Sequence, residues 1–92
     1  MRELGKIESK HCKITVLHYN HKYLIKFETI DCEQTYRIRE GTNASGMADL
    51  KRIVNEDFIA SVMKRFKQMS SDFAAAIAEA KGEDEDEFDT IL

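Results

Sequence analysis

Residues 13–40, which read KITVLHYNHKYLIKFETIDCEQTYRIRE, decide the fold of this chain. β-branched and aromatic side chains, which suit the pleated surface of a sheet, are dense along this stretch. Asn20-His21 is a plausible tight turn because Asn tolerates a positive φ, and Asp31-Cys32 is the second expected turn. The pattern predicts three antiparallel strands, which span residues 13–19, 22–30 and 32–40.

The two turns fix the register of the predicted sheet. Val16 then faces Ile25 across the first turn, and Ile25 faces Ile38 across the second. With this pairing one face collects most of the apolar side chains, namely Ile14, Val16, Ile25, Phe27, Tyr36 and Ile38. A slip of one residue would scatter them over both faces, so we expect this face to form the core.

The segments on either side complete an α+β fold. Residues 4–12 either extend the first strand or add a short fourth one, and Gly41 to Gly46 is rich in the residues of loops. A short helix is predicted over Met47 to Val54. Asn55 is a good N-cap for a long amphipathic helix that continues to Lys81 and ends at Gly82. The prediction is a three-stranded, possibly four-stranded, antiparallel β-meander followed by these two helices.

The charges divide the 92-residue chain into a body and a tail. Residues 82–92 contain six acidic side chains and no basic one, so the formal net charge of -3 leaves residues 1–81 with +3. A short, strongly acidic stretch of this kind is usually solvated. We therefore expect one domain over residues 1–81 and a disordered acidic tail over residues 82–92.

The composition points to a cytoplasmic protein that does not enter a membrane. The first residues have no signal-peptide pattern, and no apolar run approaches the ~20 residues that a membrane span needs. The chain has two cysteines, Cys12 and Cys32, and no secretion signal. We expect two free thiols in a reducing compartment.

The long helix predicts a surface for self-association. Its apolar residues recur at alternating spacings of three and four, and the helix is longer than a three-stranded sheet can cover. An uncovered apolar stripe usually marks an interaction site, and the simplest partner is a second copy. The expected homodimer interface consists of Phe66, Met69, Phe73, Ala76, Ile77 and Ala80. The corresponding function is a small homo-oligomeric protein-interaction module, in which the sheet face or the tail binds a partner protein.

The outer face of the sheet predicts an alternative function, the binding of single-stranded nucleic acid. It carries five cationic side chains and an exposed aromatic: Lys13, Tyr19, Lys22, Lys26, Arg37 and Arg39. Basic grooves with stacking aromatics bind single strands through phosphates and bases. In the predicted register Lys26 lies directly opposite Arg37, and such a pair is unfavourable unless an anion binds there. Most charged sheet faces, however, are only solvated.

The last ten residues, EDEDEFDTIL, also bear on the nucleic-acid-binding alternative. In composition they are similar to the acidic tails of single-stranded DNA-binding proteins. That resemblance implies a tail that recruits partners and competes with nucleic acid for the basic face. A tail that only keeps the protein in solution has the same composition.

Catalysis and metal binding have little support in the sequence, so we expect no enzyme activity, no cofactor and no metal. Neither a nucleophile elbow nor a phosphate-binding glycine loop is present. The histidines and cysteines form no paired Cys-x-x-Cys-type motif, and Cys12 and His18 are six residues apart on one strand. In the predicted register Cys12 and Cys32 are also too distant for a disulfide.

Overall fold

The computed structural model describes residues 1–83, which form a four-stranded antiparallel sheet followed by two helices. The strands occur in the order β1-β2-β3-β4 and span Arg2–Ile7 (β1), Lys13–Tyr19 (β2), Lys22–Glu28 (β3) and Glu33–Arg39 (β4). The helices are Gly46–Ile53 (α1) and Glu56–Glu83 (α2). The α+β prediction is confirmed, with the optional fourth strand present. The predicted disordered tail lies almost wholly outside the described residues.

The β2–β3 hairpin has the predicted register. Ile14 faces Phe27, Val16 faces Ile25, and Lys13 faces Glu28. Asn20 and His21 form the turn with φ angles of 51° and 63°. Two consecutive positive φ angles are typical of the type I′ turns that match the twist of a two-residue hairpin.

The β3–β4 register differs from the prediction by two residues. Ile25 faces Tyr36 rather than Ile38, and Phe27 faces Gln34 rather than Tyr36. The turn residues are Ile30 and Asp31, closed by a hydrogen bond of 2.9 Å from the amide of Thr29 to the carbonyl oxygen of Cys32. The apolar Ile30 was assigned to a strand, but it is fully exposed. Because the shift is an even number of residues, each side chain keeps its predicted face.

β1 adds an edge strand beside β2, and it has a bulge between Glu3 and Gly5. Gly5 lies beneath α1, where a Cβ atom at this position would be 3.3 Å from Cε of Met47. Ordinary contact begins at about 3.5 Å between carbon atoms, so the missing side chain lets α1 approach the sheet closely.

Both helices cover the same face of the sheet. The core combines strand residues with α1 and the first half of α2: Ile7, Ile14, Val16, Tyr23, Ile25, Phe27, Ala44, Leu50, Val54, Ile59, Val62 and Phe66. α1 begins one residue before the predicted Met47 and ends one residue before the predicted Val54.

α2 begins where the sequence predicts and ends later than predicted. The side-chain oxygen of Asn55 accepts a hydrogen bond of 2.9 Å from the amide of Phe58, which is the expected N-cap contact. Gly82, the expected end, lies within the helix, which continues to Glu83.

Candidate functional site

α2 runs along β4 in the direction opposite to that of the strand. The ring of Phe58 lies 5.2 Å from that of Tyr36, and the carbonyl oxygen of Val62 accepts a hydrogen bond of 2.9 Å from Nε2 of Gln34. Gln34 is the second residue of β4, so α2 is already near the end of the sheet at Val62. About 30 Å of helix axis separates Val62 from Glu83. The second half of α2 therefore extends past the strands.

The apolar stripe of α2 changes from buried to exposed along its length. Ile59, Val62 and Phe66 are buried in the core. Met69 is 36% exposed and Phe73 is 66% exposed. Residues at spacings of three and four share one face of a helix, so the exposed residues continue the buried face. We call Met69, Phe73, Ala76, Ile77 and Ala80 the α2 stripe.

Phe66 differs from the other residues predicted to form an oligomer interface. Its side chain is only 5% exposed because it packs in the core of its own chain. The sequence does not show where the sheet ends beneath α2. Phe66 was therefore predicted to lie on the part of the helix that the sheet leaves uncovered. Phe66 therefore has little surface left for a partner.

A mainly apolar cleft of about 330 Å³ adjoins the α2 stripe. It lies between the β3–β4 turn and the helix, and its lining residues are Asp31, Cys32, Ser70, Phe73, Ala74 and Ile77. Ile77 is half-buried, whereas Ala76 and Ala80 are exposed. The cleft extends the apolar surface of the stripe sideways onto the end of the sheet.

The outer face of the sheet carries the basic residues, and the observed register redistributes them. Lys22 lies directly opposite Arg39, and Arg37 lies opposite Leu24. The predicted opposition of Lys26 and Arg37 is wrong, because Lys26 faces Thr35 on β4. Three of the predicted cations are thus brought together beside the β2–β3 turn.

The other two predicted cations stand apart from this group. Lys13 lies opposite Glu28 at the far end of the sheet, where Glu28 in turn faces Glu33. Lys26 is half-buried in the middle of the face, between Thr15 and Thr35. The outer face therefore has a basic end and an acidic end, with Lys26 between them.

Tyr19 is at the basic end, where it lies opposite Lys22. Its side chain is 48% exposed, and Nζ of Lys22 lies 5.9 Å from the centre of its ring. This distance is within the range of a cation–π interaction. The contact holds the ammonium group beside the aromatic face.

A polar cluster around Glu40 was not expected from the sequence. The carboxylate accepts hydrogen bonds from Nε2 of His18 at 3.1 Å and from the hydroxyl of Tyr23 at 3.2 Å. The Tyr23 oxygen also accepts a bond of 2.9 Å from the amide of Gly46, at the start of α1. The cluster therefore fastens the segment before α1 to the sheet. His18 and Tyr23 lie directly opposite each other on β2 and β3, so the hairpin register brings the two rings together.

The surroundings of Glu40 stabilise its charged form. The hydrogen bond from His18 is the main cause of a lowered pKa, and the Tyr23 hydroxyl and the charges of His18 and His21 act in the same direction. Partial burial opposes them. The carboxylate is thus the ionised anchor of the cluster.

The two cysteines are unpaired and half-buried. Cys12 packs against the core, and burial raises the pKa of its thiol. A raised pKa lowers the thiolate fraction at neutral pH and with it the reactivity of the sulfur. Cys12 therefore fits a packing role better than a chemical one.

Residues 1–83 hold neither a metal-site cluster nor a membrane-spanning helix. Among them, no group of three or more His, Cys, Asp or Glu side chains has the geometry of a metal site. Within the same residues, no helix contains a stretch that is both long and apolar enough to cross a bilayer.

Comparison of the chain with protein-family models, with curated protein sequences and with solved structures found no significant match. Two surfaces of the described residues are the candidates for function, the α2 stripe and the basic end of the sheet.

Proposed function

We propose that this protein is a homo-oligomeric interaction module in which a second copy of the chain covers the α2 stripe. The proposal depends on one observation: the face of α2 that is buried up to Phe66 continues uncovered through Met69 and Phe73. Binding between protein surfaces, rather than catalysis, is the proposed activity. The free thiols of Cys12 and Cys32 support the cytoplasm as its compartment.

A second copy fits the chemistry of the stripe. In a two-fold assembly the same patch from each chain meets itself, so in an antiparallel helix pair the first part of one stripe lies against the last part of the other. The two parts of the stripe differ in size, since Met69 and Phe73 are bulky whereas Ala76 and Ala80 are small, so the bulky part of one copy can lie against the small part of the other. Small residues also let two helix backbones approach closely, which increases the dispersion contacts between them.

The second half of α2 needs packing to be stable, and this also favours a second copy as the partner. Isolated helices shorter than ~12–15 residues are marginal in water, and most helices in proteins are stabilised by the packing of an apolar face. The part of α2 beyond the sheet has little such packing from its own chain, as the exposure of Phe73 illustrates. A second copy would supply that packing and would remove the exposed phenyl ring from water.

Sedimentation velocity at several concentrations tests the proposal. We expect the wild-type chain at tens of micromolar to sediment as an assembly of at least twice the 10.6 kDa protomer mass. Phe73→Glu places a charge in the stripe, and we expect it to sediment as a monomer. Because Phe73 is 66% exposed, this substitution leaves the core intact.

The matched control is Gln68→Glu, which changes the charge equally at an exposed position of the same helix. It should assemble as the wild type does. A wild-type chain that remains a monomer over the whole concentration range would end the proposal, and so would equal loss of assembly in both variants.

A further inference from the structure

The basic end of the outer sheet face is a second surface with a chemistry of its own. Lys22 and Arg39 occupy directly opposed positions, and Arg37 lies on the same face two residues away along β4. Together with the turn residues Asn20 and His21, these side chains line an open cavity of about 540 Å³. The cavity is concave and cationic, and it lies on the side of the sheet away from both helices.

No carboxylate of the described chain neutralises these three cations. The ion pairs within residues 1–83 involve Glu3, Glu40 and Asp49, and their basic partners are Lys6, His18, His21 and Arg52. Like charges placed directly opposite each other on a sheet are destabilising. Lys22 and Arg39 therefore carry an unfavourable interaction that a bound anion would relieve.

The nearest acidic group among the described residues is turned to other partners. Glu40 follows Arg39 in the chain, but its carboxylate is bound by His18 and Tyr23 on the helix side of the sheet. It approaches the cavity only through Nδ1 of His21, at 3.8 Å from its Oε1 atom. Glu28 and Glu33 are at the far end of the strands. Among the described residues, no acidic side chain lines the cavity.

An aromatic ring completes the surface. Tyr19, Lys22 and Arg39 form one row across three neighbouring strands, which places a stacking surface beside two cations. Phosphate contacts combined with base–aromatic stacking are the means by which sheet surfaces bind single-stranded nucleic acid. A duplex would offer only its backbone, because its base faces are stacked on one another.

We propose that this end of the sheet binds single-stranded nucleic acid, with backbone phosphates on Lys22, Arg37 and Arg39 and one base stacked on Tyr19. The inference is independent of self-association, since α2 packs on the other face of the sheet and its stripe adjoins the β3–β4 turn, at the opposite end from the β2–β3 turn. Phe73→Glu should therefore retain the nucleic-acid site, and this separates the failure of one proposal from the failure of the other.

Fluorescence anisotropy with the full chain and a labelled oligothymidylate tests the site. Arg37→Gln/Arg39→Gln removes two exposed cations, and Lys51→Gln/Lys64→Gln removes two others from the helices with the same change in charge. We expect salt-sensitive binding by the wild type and the helix variant. In the arginine variant the slope of log K against log salt should become shallower by about 1.4, since each phosphate contact on a single strand contributes about 0.7.

Tyr19→Leu separates stacking from charge. It should weaken binding by about tenfold or more, as loss of one base–aromatic stack does, and leave the salt slope unchanged. Melting curves from circular dichroism should show that all the variants are folded.

Three results would overturn the inference. One is a wild-type chain that does not bind the oligonucleotide at low salt. Another is equal loss of binding in the helix variant and the arginine variant, which would indicate only diffuse attraction. The third is a duplex of the same length that competes as well as the single strand.

Discussion

Glu40 shows how one side chain connects loop, sheet and helix in this protein. Its two oxygens accept separate hydrogen bonds from His18 and Tyr23, and the ring of His18 stacks on that of Tyr23 at 4.8 Å. Tyr23 in turn accepts the amide hydrogen of Gly46. The start of α1 is thus held to the sheet through a carboxylate whose ionised form, favoured by its lowered pKa, accepts both bonds.

We predict that the stability contributed by Glu40 depends on pH. Because the pKa of Glu40 is lower in the folded than in the unfolded chain, its contribution is fully present above the ordinary Glu value of about 4.3. It is lost as the pH falls through the lowered folded pKa. Thermal melts of the wild type and Glu40→Gln should therefore differ at pH 7 and converge in acid.

The matched control for this measurement is Glu8→Gln, which changes an exposed carboxylate. It should follow the wild-type melting temperature across the same pH range. A difference between wild type and Glu40→Gln that stayed constant from neutral pH into acid would contradict the assignment.

Between elements, the attachment of α2 to β4 depends on a buried amide as well as on apolar packing. Gln34 is 9% exposed, donates to the carbonyl oxygen of Val62 and accepts a bond of 2.6 Å from the Tyr36 hydroxyl. A buried polar group that has lost its partner is costly. Gln34 therefore fixes how α2 lies along β4, and with it the point at which the helix leaves the sheet.

Gln34→Glu should destabilise the fold by about 1–3 kcal/mol at neutral pH, because a buried carboxylate would face the Val62 carbonyl without a hydrogen to donate. Protonation in acid should restore part of the loss. Urea denaturation at pH 7 and in acid measures both effects.

Gln68→Glu makes the same chemical change at an exposed position of α2 and should shift the free energy of unfolding by no more than about 0.5 kcal/mol. Equal effects of the two substitutions would show that the buried amide has no special role.

At the scale of the whole molecule, α2 divides the protein into a packed part and a projecting part. One half of the helix completes the core, and the other half exposes the α2 stripe beyond the strands. The surface proposed to bind nucleic acid lies on the face of the sheet away from α2, so an assembly through α2 would leave it open.

Self-association of this kind should make thermal stability depend on protein concentration. A partner that binds only the folded chain stabilises it by mass action, so the melting temperature of the wild type should rise by several degrees for each tenfold increase in concentration. Phe73→Glu should melt at one temperature throughout, while Gln68→Glu should behave like the wild type. A wild-type melting temperature that is independent of concentration would contradict the proposed assembly.

The local features of this protein were predictable from its residues alone. The alternation of Ile14, Val16, Ile25 and Phe27 identified the buried face, because side chains on a strand alternate strictly between two sides. The Asn20-His21 turn and the Asn55 cap were predictable for a similar reason, since each satisfies a conformational need within a few residues.

Other features became clear only in the folded chain, because the local pattern fits more than one arrangement or because distant segments meet there. The β3–β4 register differs from the predicted one by two residues because Thr29 and Cys32 close the turn. Both registers keep the same side chains on the same face, so the apolar pattern could not distinguish them. In the observed register Lys22 lies opposite Arg39. The burial of Phe66 and the exposure of Phe73 likewise depend on where the sheet ends under α2, a distance in space that helical periodicity does not contain.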